Sequence, residues 1–143
     1  MQTFLPYPSF AQSAHCLDNR RLGKQRIEAF QILHALTEEH YGWKNHPAVI
    51  MWTGARRALV DYNIEICKEW LARGFVDTVA EKLRIYRIAH NDFEGEETAE
   101  WLGNEKFHAS HRSNLLRKNP SHYKQFGWME KDDLPYFWPG RIP

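Results

Sequence analysis

The residues of this 143-residue chain best suited to chemistry lie between Leu17 and Glu28, in the run Leu-Asp-Asn-Arg-Arg-Leu-Gly-Lys-Gln-Arg-Ile-Glu. Arg20, Arg21, Lys24 and Arg26 follow one another with no acid between Asn19 and Arg26. On a helix, positions 20, 24 and 28 share a face, as do 21 and 25, one turn apart. Bases so spaced would meet successive phosphates of a polyanion. Gly23 lacks a side chain and would let a backbone come close. Gln25 offers both a donor and an acceptor. Glu28 is the first carboxylate after Asp18, and an acid set among cations is held ionised. Two readings of Glu28 are open: an acid that takes part in a reaction, or a helix-face ion pair with Lys24 worth about 0.2–0.5 kcal/mol.

A second basic stretch runs from Phe107 to Lys124, with Arg112, Arg117, Lys118 and Lys124, no acid, and His108, His111 and His122 interspersed. Between Asn91 and Glu100 the charge reverses, with Asp92, Glu94, Glu96, Glu97 and Glu100 and no base. Each cluster reads either as a solvated face or as a binding surface. His108 and His111 stand about one helical turn apart and could share an ion. No Cys or Asp accompanies them and the zinc-protease spacing of His and Glu is absent, so no metal is assigned. Asn45-His46-Pro47 opens a helix, where free N–H groups attract anions; His46 there reads as a phosphate donor or as a plain cap. Cys16 and Cys67 fall on helical patterns among apolar neighbours, a setting in which thiols are inert. With no nucleophile elbow, Walker or dinucleotide fingerprint in the chain, no cofactor is expected.

These residues need a scaffold, and the composition allows one. Hydrophobic residues make up 43% and charged residues 26%, ordinary globular usage that argues against disorder. Aromatics reach 14%, a surplus that leaves rings available for stacking as well as for the core. The two cysteines exclude a disulfide framework and fit a reducing compartment. No apolar run approaches the ~20 residues of a membrane span, and the start Met1 to Pro6 lacks a signal-peptide core. A cytoplasmic, monomeric protein is the expectation.

Pro6 and Pro8 make the first eight residues an extended arm, after which Ser9 can cap a helix. Apolar residues from Phe10 to Leu36 recur at helical steps, with Gly23 as a possible break between two helices. From Pro47 the residues Val49, Trp52, Ala55, Leu59, Tyr62, Ile66 and Trp70 predict one helix of about seven turns at ~3.6 residues each, closed by Gly74. Asp77 to His90 reads as a third, weaker helix with Leu83 and Tyr86 on one face. Asn104 to Lys118 reads as a fourth, capped by Asn104 and stopped by Asn119-Pro120. The tail from Ser121 to Pro143 is aromatic and punctuated by Pro and Gly, which predicts irregular turns. No period-two strand occurs, so residues 1–143 are expected to form a single all-α domain with no linker.

Taken in order, these landmarks resemble the pyrimidine-dimer DNA glycosylases of the bacteriophage endonuclease V type, and more closely a bacterial branch of that family. They are the arm, the basic helix from Arg20 to Arg26, His46 at the start of a long helix, and that helix's ending Trp70-Leu-Ala-Arg-Gly-Phe75. Phe107-His-Ala-Ser-His-Arg112 follows, then Asn119-Pro-Ser-His-Tyr123-Lys124-Gln-Phe-Gly127. The resemblance implies an all-α fold and a glycosylase/AP lyase acting on damaged pyrimidines in double-stranded DNA. It implies that the N-terminal amine attacks C1′ of the nucleotide, expels the base and forms an imine, assisted by a glutamate of the first helix, before β-elimination cuts the strand. An α-amine suits that role, because it titrates near ~7.7–8.0 against ~10.4 for a lysine. In this chain the amine is that of Met1, since a residue as large as Gln2 blocks removal of Met1. Aligning Lys24-Gln25 with the family's Arg-Glu pair puts Gln25 at the glutamate, and Glu28 is the carboxylate one turn on; either could carry the role. Arg20, Arg21, Lys24, Arg26, His46, Arg112, Arg117, Lys118, Tyr123 and Lys124 would hold the DNA. Two other functions fit the same residues: a catalytically silent module that recognises distorted duplex, and a glycosylase for a different modified base.

Overall fold

The computed structural model describes residues 1–90 and 98–139. Most of the acidic stretch expected from Asn91 to Glu100 therefore lies outside the described residues. Those described form seven α-helices and one 3-10 turn with no strand, so the chain is all-α, as its apolar spacing predicts. In chain order the helices are α1 (Phe10–Cys16), α2 (Asn19–Thr37), α3 (Pro47–Ile50), α4 (Arg56–Ala72), α5 (Val79–Ala89), α6 (Glu105–Lys118) and α7 (Pro120–Tyr123). None is long and apolar enough to cross a membrane.

The core forms where α2 and α4 cross, with α1 laid against α4. Leu22, Ala29, Ile32 and Leu33 of α2 meet Leu59, Tyr62 and Ile66 of α4, all fully buried. Ser9 caps α1 by accepting from the N–H of Gln12 at 3.2 Å. The chain then breaks at Leu17 and Asp18, which are extended. The expected break at Gly23 does not occur: Gly23 is mid-helix, and a Cβ there would stand 3.0 Å from the ring of Trp70. It admits the indole of α4.

The single long helix expected from Pro47 is also corrected. A turn over residues 51–54 separates α3 from α4, and Gly54 adopts the left-handed φ of 76° that favours glycine. The apolar steps continue across the gap because Met51, Trp52 and Ala55 still point inward, so spacing reports burial and not continuity. Asn104 caps α6 at the expected place, its Oδ1 accepting from the N–H of Lys106 at 3.0 Å. The tail is more ordered than expected at its start, since Pro120 opens α7 and a 3-10 turn follows. Residues 127–139 have no helix or strand, but Trp128 stacks on Tyr123 at 5.6 Å.

Candidate active site

The arm is buried from Gln2 to Pro6, outside any helix and with no strand beside it among the described residues, so its backbone groups must find side chains. Gln25 of α2 is the central clamp. Its Oε1 accepts from the N–H of Phe4 at 2.9 Å, and its Nε2 donates to the carbonyl of Gln2 at 2.8 Å. An amide meets both groups, whereas a carboxylate would set an unprotonated oxygen against that carbonyl. Tyr62 of α4 lies with its hydroxyl 2.9 Å from the Phe4 carbonyl and 2.7 Å from Gln25 Oε1. Trp52 donates to the Thr3 hydroxyl at 3.0 Å.

Helix α6 holds the other side of the arm. His111 Nδ1 accepts from the N–H of Leu5 at 2.9 Å, and His108 Nδ1 donates to the Leu5 carbonyl at 2.7 Å. His108 Nε2 accepts from Gly103, which fixes its tautomer. Both rings are fully buried. Burial pushes His111 down to about 3 and lowers His108 as well, so both are neutral at neutral pH. With both Nδ1 atoms on Leu5 of the arm and His108 Nε2 on Gly103, these histidines do not pair around an ion as their spacing allowed. Among the described residues no group of three or more His, Cys, Asp or Glu could hold a metal. Cys16 and Cys67 are buried, and burial raises both thiols to about 12, which leaves them protonated and unreactive.

The clamped arm delivers Met1 to the wall of a cavity of about 390 Å³, which Gln2, Phe4, Arg20, Arg21, Lys24, Gln25, Glu28, Lys118 and Tyr136 complete. That volume is ordinary for a small-ligand cleft, at ~300–1,000 Å³. Glu28 is the carboxylate of this wall, and its Oε2 accepts from the N–H of Gln2 at 3.3 Å and from Gln25 Nε2 at 3.4 Å. The acid thus sits one residue from the first amine. Four cations face one carboxylate, an excess suited to phosphate. Lys118 feels the crowding: burial and then the charges of Arg21, Arg117 and Lys24 lower its ammonium from the ordinary lysine value. Burial raises the Tyr136 phenol to about 12, so it remains a donor.

Of the residues expected to hold DNA, Arg20, Arg21, Lys24 and Lys118 share this cavity. Arg21 also pairs with Asp18 at 3.1 Å. Arg26 leaves the cluster, pairing with Asp77 at 2.5 Å and lying 4.5 Å over the ring of Trp70. Half a helical turn separates positions 24 and 26, so the spacing itself carried that signal. Arg112 is buried, bonded to the Pro6 carbonyl at 2.8 Å and paired with Glu105 and with Glu130, the latter at 2.6 Å. Tyr123 is buried with its hydroxyl on the Asp18 carboxylate. Burial alone would raise that carboxyl, but the bond from Tyr123 and the charge of Arg21 outweigh it and hold it low. Arg117 bonds Asn114 and the Asp132 carbonyl, while Lys124 is exposed. His46 caps α3, accepting from the N–H of Ala48 at 3.0 Å. Where phosphate contacts were expected, Arg112 ties α6 to the arm at Pro6 and to the tail at Glu130, and Tyr123 bonds Asp18 between α1 and α2. Tyr136 of the wall carried no sequence signal, since nothing in a linear pattern brings the tail to α2.

Comparison with curated proteins and with solved structures returned no match. A family model described as pyrimidine dimer DNA glycosylase matches residues 1–83. That span holds the arm, the clamps of α2 and α4, and every wall residue of the cavity except Lys118 and Tyr136. The match covers more than half of the chain and coincides with the cleft, and the chain accordingly belongs to the pyrimidine dimer DNA glycosylase family, enzymes that act on DNA.

Proposed function

We propose that the protein is a bifunctional glycosylase/AP lyase acting on damaged pyrimidines, such as pyrimidine dimers, in duplex DNA, with the Met1 amine as nucleophile and Glu28 as the assisting acid. The observation that carries this reading is that Met1 and Glu28 line one cavity whose other charged walls are Arg20, Arg21, Lys24 and Lys118. The target nucleotide leaves the stack to reach such a pocket, and the cations hold the phosphates on either side of it.

In the first step the amine lone pair bonds to C1′ while the C1′–N bond breaks, its electron pair leaving with the base. The amine gives up a proton, and as its nitrogen lone pair forms C1′=N the C1′–O4′ bond breaks, the pair going to O4′. O4′ and the departed base each take a proton from water or from the acid that received the amine's. In this reading Glu28 takes the amine proton and balances the cationic imine. Its bond to the N–H of Gln2, one residue from the amine, supports that role. Removal of a proton from C2′ then expels the 3′ phosphate, and water hydrolyses the imine to regenerate the amine. Gln25, with both ends of its amide bonded to the arm, is a positioning residue here: it holds the backbone that carries the amine.

The test is borohydride trapping on duplexes holding a cyclobutane dimer or an abasic site. The expected result is a covalent adduct that disappears when the N-terminal amine is methylated reductively. Salt-dependent binding to both duplexes without any adduct would replace the enzyme reading with a silent lesion-binding module.

A further inference from the structure

A row of rings leads from the cavity wall to the surface. Tyr136 lines the cavity. Its ring lies 5.4 Å from Trp138, Trp138 lies 6.1 Å from His46, and His46 lies 5.9 Å from Trp43. Trp43 ends the row and is 56% exposed, the most exposed tryptophan among the described residues. It is also the one residue other than glycine with positive φ among the described residues, at 71°. A bulky side chain pays for that backbone, and such strain persists where its surroundings impose it. Here the Trp43 carbonyl accepts from the N–H of His46 at 2.8 Å, which ties the turn to the cap of α3.

We infer that Trp43 is a stacking platform for an unstacked base of the bound DNA, a few nucleotides from the one in the cavity. This rests on the glycosylase reading. The three ring-to-ring steps span at most about five base-pair rises of ~3.4 Å, so a strand held at the cavity reaches Trp43 within about five nucleotides. An exposed indole accepts any base face, so it reads disruption of the stack and not sequence. The same ring has nothing to stack on in intact duplex, where every base face is covered. Lesion preference would therefore come partly from a residue that touches no reacting atom.

The experiment measures binding of Trp43→Ala and Trp43→Phe by anisotropy, on an abasic-site duplex and on intact duplex of the same sequence. In both, 2-aminopurine is placed successively opposite the site and at each position out to about five nucleotides on either side of it, the reach of the ring row at ~3.4 Å per base pair. The expected result for Trp43→Ala is roughly tenfold weaker binding to the abasic duplex, the worth of one stacked base, with affinity for intact duplex unchanged. Trp43→Phe should restore most of the loss, and 2-aminopurine at one position should be quenched by wild type and not by Trp43→Ala. Equal affinity of wild type and Trp43→Ala for the abasic duplex overturns the inference and leaves the glycosylase reading standing. So does equal weakening on both duplexes, which would mark a structural role. A wild-type protein that binds neither duplex overturns both.

Discussion

The two basic segments, Arg20 to Arg26 and Arg112 to Lys124, are alike in composition and differ in what surrounds them. In the first, Arg20 and Lys24 are exposed, and together with Arg21 they face a cavity whose only carboxylate among the described residues is Glu28. In the second, Arg112 is enclosed by Glu105, Glu130 and the Pro6 carbonyl, and the neighbouring His108 and His111 are neutral and hold the arm. Only Lys118, at the far end of α6, joins the cavity. The lesson is that basic density identifies a ligand surface only where no internal acid or carbonyl has already claimed the cations. One segment leaves its cations at the cavity, and the other ties the arm to α6 and to the tail.

Four measurements would break or sharpen this contrast. The largest effect belongs to the first segment. Glu28→Gln should reduce trapping and excision by about 10²–10⁴-fold, the span of general acid–base assistance, while thermal unfolding and DNA affinity stay near wild type. Full activity in that variant would remove Glu28 from the chemistry.

The second segment should show itself in stability. His111 is held down to about 3 by burial, whereas an unfolded histidine titrates near ~6.5. Between those values the unfolded chain carries a proton that the folded one refuses. Stability should therefore be complete above about pH 6.5 and decline as pH falls toward 3, by a few kcal/mol at most. Urea unfolding at a series of pH values reads this directly. His111→Asn, which keeps an acceptor near Nδ1 but cannot titrate, should flatten the profile; an unchanged slope would assign the acid sensitivity elsewhere.

Arg112→Ala should destabilise by about 3 kcal/mol, as expected when one partner of a buried ion pair is removed, and leave the salt dependence of DNA binding as it was. A lowered salt slope with normal stability would return Arg112 to the DNA interface. The smallest effect is Lys24→Ala, which should reduce the slope of log affinity against log salt by about 1 without altering the melting temperature. If Lys24→Ala and Arg112→Ala shifted the slope equally, the distinction between the segments would fail.

Much of the local structure was legible in the linear pattern. Ser9, Pro47 and Asn104 mark helix starts where the structure has them, because capping is a bargain between residues three apart or fewer. The face holding 20, 21, 24, 25 and 28 was legible too, since helical geometry alone places it. Legibility ended where partners are distant. The break at Asp18 depends on Tyr123, 105 residues away, and Gly23 answers to Trp70 on another helix. Gln25 stood out as a candidate catalytic group, yet its four polar contacts are with Gln2, Phe4, Glu28 and Tyr62.

By itself, then, the amino-acid sequence determined the helical class, the helix starts and the grouping of cations on one face of α2, all consequences of neighbours within about a turn. The tertiary structure alone decided which cations remain available, where the first residue lies and what closes the cavity around it. Those outcomes depend on which buried backbone groups of the arm must be satisfied, and the side chains that satisfy them come from α2, α4 and α6, brought together only by burial of the core.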